Sequence, residues 1–219
     1  LVRTQRNVII DNTQGFYQPN ISDAYSVYSP RKFFGVPDGC YVIGARAEQY
    51  LDEYVQDSSA PTANFLLARI ESGGNANYAL YQSSEARLEQ SDILRMSKLT
   101  HALLDNIDYA GIREKRQRNY DYAAKVFASL NCLPGGLLKR ANEQVPMVYP
   151  LLIKNERLRY RLKERHIFVG QWWRYLLDDP QASAWEKELS RCMLPIQIDQ
   201  RYGPKEIDYT ESVIRSAIE

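Results

Sequence analysis

The run Tyr25-Ser26-Val27-Tyr28-Ser29-Pro30-Arg31-Lys32-Phe33-Phe34-Gly35-Val36-Pro37-Asp38-Gly39 sets the first limit on the fold. Tyr25 to Tyr28 is β-like, and Cys40-Tyr41-Val42-Ile43 is apolar and β-branched. Between them, Pro30, Gly35, Pro37 and Gly39 rule out a continuous strand, so the chain must turn and hold Lys32 between two strands. Upstream, the apolar stretch Val8-Ile9-Ile10 closes on Asp11. Short strands are expected near residues 7–11, 23–28 and 40–44.

Beyond residue 46 the pattern turns helical, with helices expected at about 47–56, 61–71, 75–89, 91–106 and 109–131. In the last of these, Ile112, Tyr120, Ala123, Ala124 and Phe127 recur at three- and four-residue steps. Ser72-Gly73-Gly74-Asn75 lacks the Lys-Ser/Thr and the preceding strand of a phosphate loop, and reads as a helix–helix turn. Pro134-Gly135-Gly136 ends the long helix and divides the chain into expected domains 1–134 and 135–219. The second domain reads as α+β: strand 146–153, helix 155–165, strand 167–169, helix 181–191, strand 193–197 and helix 204–217. A net charge of +1 gives no reason to expect nucleic acid or an anionic membrane as a partner. No apolar run is long enough to span a bilayer, and the first residues lack a signal peptide's charged and apolar regions. The three cysteines, Cys40, Cys132 and Cys192, form no metal signature and read as reduced, mostly buried thiols of a cytoplasmic protein. Arg113, Lys115, Arg116 and Arg118 read as a solvated helix face.

An amine held in a turn can condense with an aldehyde, and a strand-end carboxylate can hold a pyridinium proton. These are the two protein groups that pyridoxal phosphate chemistry needs most. Singly, a turn lysine is usually solvated and an aspartate after a strand usually helps the chain turn. Their surroundings carry further features. Asp11-Asn12-Thr13-Gln14 closes a strand as Asp-x-x-Gln, and Ser29 precedes Lys32 by three. Arg95-Met96-Ser97-Lys98-Leu99 opens an amphipathic stretch. Then come Val145-Pro146-Met147-Val148-Tyr149-Pro150-Leu151-Leu152-Ile153, Leu162-Lys163-Glu164-Arg165-His166-Ile167 and Leu194-Pro195-Ile196. In this order they resemble the pyridoxal-phosphate-dependent sugar aminotransferases of the DegT type, within the fold type I, aspartate aminotransferase-like group.

The resemblance implies an α/β fold: the C-terminal part of a fold type I transferase, with a partial large-domain sheet and its helices followed by a small α+β domain. It implies pyridoxal 5'-phosphate as cofactor, held by Lys32 as an internal aldimine, with Asp11 on the pyridine nitrogen and Gln14 near the ring hydroxyl. Ser26 and Ser29 are both candidates for the phosphate, because the family's usual serine position, five residues before the lysine, holds Val27 here. The family's asparagine that reaches a neighbouring subunit's phosphate is replaced here by Ile93, which leaves Arg95 as a basic cofactor-side contact across the dimer. Trp172, Trp173 and Arg174 would face substrate, unless the tryptophans simply pack the small domain. The implied reaction moves an amino group from a donor, usually glutamate, to a nucleotide-linked keto-sugar in a homodimer. The family carries a longer stretch before the aspartate, with the first strands and the phosphate turn. A non-catalytic fragment or degenerate homologue, acting as a binding or assembly protein, is therefore the competing expectation.

Overall fold

Three short strands, β1 (Ile9–Asp11), β2 (Tyr25–Tyr28) and β3 (Tyr41–Ile43), form one sheet in that order. They belong to the first of two compact units, Leu1–Asp108 and Tyr109–Glu219, in a computed structural model that describes residues 4, 5 and 7–218. β1 runs parallel to β2 with Asp11 opposite Val27, and β2 runs antiparallel to β3 with Tyr28 opposite Tyr41. The carboxyl ends of β1 and β2 therefore emerge at the same end of the sheet.

Side chains alternate across a strand, so Ser26 and Tyr28 are buried on one face of β2 while Tyr25 and Val27 turn to the other. Phe16, in the loop after β1, covers the buried face. Its ring lies 4.8 Å from Phe34, 5.9 Å from Phe33, 6.4 Å from Tyr28 and 6.2 Å from Tyr41. Tyr17 adds a ring 5.9 Å from Phe33. Edge-on and tilted contacts of this kind are preferred over face-to-face stacking. The opposite face leaves Ile9, Asp11 and Val42 exposed. There the Tyr25 ring lies flat on Gly44, where a Cβ would press into it.

The expected helix at 47–56 is a 3-10 helix, Ala47–Glu53, none of whose residues is buried. Without an apolar stripe to cover, nothing favours the longer α-helical form. Helices α1 (Asn64–Ala76) and α2 (Tyr78–Gln90) pack as a hairpin. Gly73, at φ 79°, interrupts the first helix inside the segment read as a turn, and the Asn77 amide donates to the carbonyls of Ala68 and Gly73, each at 2.9 Å. Helix α3 (Lys98–Leu104) begins later than expected. Residues 91–97 are not helical, with Arg95 bridged to Gln56, and the Ser97 hydroxyl caps α3 by accepting from the Thr100 N–H at 3.1 Å.

The second unit contains α4 (Tyr109–Val126), α5 (Gly135–Leu138), β4 (Val148–Leu152), α6 (Leu158–Glu164), α7 (Ala184–Cys192), β5 (Met193–Gln197) and α8 (Pro204–Ile218). β4 and β5 pair antiparallel, placing Pro150 opposite Pro195 and Leu152 opposite Met193. Tyr120, Ala123 and Phe127 bury a stripe against Tyr149, Leu151, Ile196 and Ile214. This packing ties α4 to β4 and α8, so the compact units part at Asp108, ahead of the Pro134-Gly135-Gly136 boundary read from sequence. Side chains also line the rims of the two-stranded sheet. Asn131 donates to the Pro150 carbonyl at 2.8 Å and accepts from the Leu152 N–H at 3.1 Å. Arg159 donates to the Met193 carbonyl at 2.9 Å.

Three expectations need correction. Arg116 is buried, not solvated: its guanidinium donates to the carbonyls of Met147 (3.1 Å) and Pro146 (3.4 Å), in the segment that leads into β4. Residues 167–169 form no strand, because the Ile167 N–H is spent on the Leu162 carbonyl and the His166 N–H on that of Lys163. This is a Schellman ending to α6, with His166 (φ 59°) in the left-handed position that glycine usually takes. Finally, Cys40 and Cys132 are exposed and only Cys192 is buried.

Candidate active site

Asp11 ends β1 on the open face of the sheet. Hydrogen bonds from the Thr13 hydroxyl and from its N–H, the latter at 2.9 Å, hold the Asp11 carboxyl below the usual range, so it is ionised at neutral pH. Gln14 is exposed in the tight turn closed by the Gly15 N–H on the Asn12 carbonyl at 2.9 Å.

Lys32 is the last residue of a single 3-10 turn, Pro30–Lys32, that follows β2. Pro30 starts the turn with a preset φ, and the Phe33 and Phe34 N–H groups close on its carbonyl at 2.9 and 2.8 Å. Phe33 and Phe34 then plug into the aromatic cluster around Phe16. The chain that follows Asp11 and the chain that follows Lys32 are therefore packed together by their rings. The Lys32 side chain is exposed, and among the described residues no hydrogen bond or ion pair engages its amine. Its neighbour Arg31 pairs with Glu85 of α2, which ties the turn to the helical hairpin.

The two serines differ. Ser26 is fully buried under the aromatic cluster, and its hydroxyl has no hydrogen-bond partner among the described residues. Ser29 is half-buried at the start of the lysine turn, where its hydroxyl makes no capping bond. Arg95 makes a long contact of 3.4 Å to Asp52 through Nη1, and its backbone is bridged to Gln56. Ile93 is exposed.

Trp172, Trp173 and Arg174 lie in the second unit. Trp172 packs against the cluster of Leu152, Cys192 and Met193, which is the packing role weighed for it above. Trp173 is exposed, in a left-handed conformation with φ 53°, its ring 5.5 Å from that of Trp172. The Ser190 hydroxyl lies 3.0 and 3.1 Å from the two tryptophan carbonyls and fixes this corner, leaving Arg174 exposed at the start of a 3-10 turn.

Sequence reasoning missed a buried polar group six residues after Lys32. The Asp38 carboxylate, 3% exposed, accepts from the Ser97 N–H at 3.0 Å and from the Ser97 hydroxyl at 2.7 Å. Ser59 lies 2.7 Å from that hydroxyl, and Thr100 at 3.1 Å. Among the described residues no cation pairs with Asp38. Gly39 follows at φ 102°, where a Cβ would lie 2.8 Å from the Met96 side chain, so only glycine lets the loop lie flat on α3. A serine followed three residues later by a threonine was the available signal for the cap. Nothing local announced that its remote partner would be Asp38.

No protein-family model matches this chain, and no curated protein matches it in sequence. Among solved structures it is similar to a protein assigned as a sugar aminotransferase from Streptococcus pneumoniae, in its PMP form. That match has 15% identity and a TM-score of 0.57, over 96% of this chain and 58% of the other. It is also similar to a DegT DnrJ EryC1 StrS aminotransferase from Brucella abortus, with 14% identity and a TM-score of 0.52, over 96% and 57%. Identity this low makes the likeness one of fold. The chain thus has an aminotransferase-like α/β fold and spans less than two thirds of either structure's length.

Proposed function

We propose that this chain forms part of a pyridoxal-phosphate-dependent aminotransferase of the DegT type, with Lys32 as the residue that bonds the cofactor aldehyde. One observation carries the reading: an ionised strand-end carboxylate and an unengaged turn amine follow two adjacent parallel strands whose carboxyl ends coincide. Ligands of open α/β sheets bind outside those ends. Asp11 is suited to hold a proton on a ring nitrogen, since its own carboxyl stays charged. Gln14, in the next turn, is assigned to the ring hydroxyl. Ser29 suits the phosphate better than Ser26 does, because its hydroxyl is accessible and sits beside the lysine turn.

When bound, the cofactor supplies the electron sink that lets an amino donor lose its α-proton. The released Lys32 amine is then the base that carries this proton. Glutamate as donor, a nucleotide-linked keto-sugar as acceptor, Arg95 as a contact to a neighbouring subunit, and Trp173 and Arg174 as substrate contacts all belong to the same proposal.

The test is an absorbance titration of the protein with pyridoxal phosphate, before and after borohydride. A reducible band near about 420 nm that Lys32→Ala abolishes supports the assignment. A chain that forms no adduct at Lys32 defeats it and favours a non-catalytic binding or assembly role.

A further inference from the structure

The net charge of +1 is an average over two unlike halves. Leu1–Asp108 carries 9 arginines and lysines against 13 acids, whereas Tyr109–Glu219 carries 19 against 14. The excess is concentrated around α6. Residues 154–166 hold six cations, Lys154, Arg157, Arg159, Arg161, Lys163 and Arg165, and two acids, Glu156 and Glu164. Two of the cations serve the fold: Lys154 pairs with Glu188 at 2.9 Å, and Arg159 donates to the carbonyls of Arg191 and Met193. The other four are exposed, and among the described residues no salt bridge engages them.

These side chains share one face. Leu158 and Leu162, four residues apart, are fully buried in the core of the second unit. Arg157 and Arg161 are also four apart, and Tyr160 is three after Arg157 and three before Lys163. With 3.6 residues per turn, Arg157, Tyr160, Arg161, Lys163 and Glu164 fall on the arc that the leucines leave to solvent. Tyr160, in the middle of that arc, is 73% exposed. The helix explains only part of this. Arg161 and Lys163 in its last turn suit the dipole, but Arg157 is the N-cap, at the end where the dipole repels a cation. A cation placed there gains from an anion outside the fold. Arginine forks match phosphate oxygens two at a time. The tyrosine ring beside them offers a face on which a base can stack. An anionic bilayer fits less well, because α6 spends its leucines on the core and has no apolar side left to enter lipid. An acidic peptide would use the cations and leave Tyr160 idle.

We infer that the exposed face of α6 binds single-stranded nucleic acid, with Arg157, Arg161 and Lys163 on phosphates and Tyr160 against a base. The inference goes beyond the cofactor assignment and holds whether or not Lys32 forms an adduct.

Fluorescence anisotropy of a labelled oligouridine of about 12 nucleotides, titrated with the protein at about 50 to about 300 mM KCl, tests it. The expected result is a Kd of about 10 µM at the lowest salt, with log affinity falling against log salt at a slope of about −2 for three phosphates met. Arg157→Gln/Arg161→Gln should raise Kd about 10-fold and flatten the slope to about −0.7. Tyr160→Ser should raise Kd about 10-fold with the slope unchanged, since it removes stacking and no charge. These positions are exposed, so far-UV circular dichroism should not change. Arg113→Gln/Arg118→Gln removes the same charge from α4 and should move Kd by about 2-fold or less. No binding at about 100 µM protein overturns the inference. So does an α4 variant as damaging as the α6 one, or a Tyr160→Ser protein that binds like the native. Tighter binding to phosphatidylserine vesicles or to polyglutamate than to the oligonucleotide overturns it as well.

Discussion

Asp38 offers the sharpest test of how the lysine turn is held. Replacing it with alanine removes two acceptors at once, from the Ser97 N–H at 3.0 Å and the Ser97 hydroxyl at 2.7 Å. The hydroxyl can turn to Thr100 Oγ1 at 3.1 Å, but the buried N–H has nowhere to go. A hydrogen bond to a charged acceptor contributes about 1.5–3 kcal/mol, and a buried donor left unpaired costs its full desolvation. Two bonds to one residue are not additive, so Asp38→Ala should lose about 3 kcal/mol. Asparagine behaves differently. Its carbonyl keeps the bond from the Ser97 N–H, and its amide replaces an acceptor with a donor at a hydroxyl already receiving the Thr100 N–H. It also relieves the burial of a carboxylate that has no cation beside it. Asp38→Asn should therefore lose about 1 kcal/mol or less. Urea unfolding followed by far-UV circular dichroism measures both losses. Tryptophan fluorescence gives an internal reference, since Trp172, Trp173 and Trp185 all lie in the second unit. An alanine variant that loses under about 1 kcal/mol would refute the accounting. So would an asparagine variant as damaging as alanine, because charge rather than bond geometry would then hold the loop.

Two further outcomes are expected. Burial pushes the Asp199 carboxyl up, but hydrogen bonds from Arg201, at 2.8 Å from both Nε and Nη2, and the charges of Arg201 and Arg116 bring it below its usual value. A carboxyl depressed in the folded state contributes stability above its unfolded value, about 3.9, and loses it as pH falls through the folded value. The stability gap between the native protein and Asp199→Asn should accordingly narrow as pH is lowered from about 6 to about 3, as read by denaturant midpoints. Gly44→Ala drives a Cβ into the Tyr25 ring, which must shift from the sheet, and should lower stability by about 1–3 kcal/mol in the same assay.

Much of the element order was legible because it depends on near neighbours. The period of α4, the glycine break at 73 and the turn around Lys32 are set by residues a few positions apart. What escaped depends on partners far along the chain. Arg116 is buried because the carbonyls of Pro146 and Met147, just ahead of β4 and some thirty residues on, need donors, and its own flanks, Lys115 and Arg118, suggest only a wet surface. The compact boundary moved to Asp108 because α4 finds its apolar partners downstream. Of the candidate site, Asp11 and Lys32 were legible as residue types at punctuated positions. The rings of Phe16, Phe33 and Phe34 that pack their loops together were not, since aromatic residues in a loop announce burial without naming a partner.

The two-stranded sheet of the second unit has consequences for handling the protein in concentrated solution. A ribbon of two strands is all edge, and free edges are templates on which another chain can add. Here Pro150 and Pro195 face each other and bring no N–H to either rim. Asn131 occupies the Pro150 carbonyl and the Leu152 N–H on one side, while Arg159 occupies the Met193 carbonyl on the other. These side chains act as counterfeit strands, satisfying the ladder without extending it. Asn131→Ala would strand the N–H of buried Leu152 and uncover a recruitable edge together, so a loss of about 1–3 kcal/mol in stability should be joined by slow fibril or precipitate growth from the folded state.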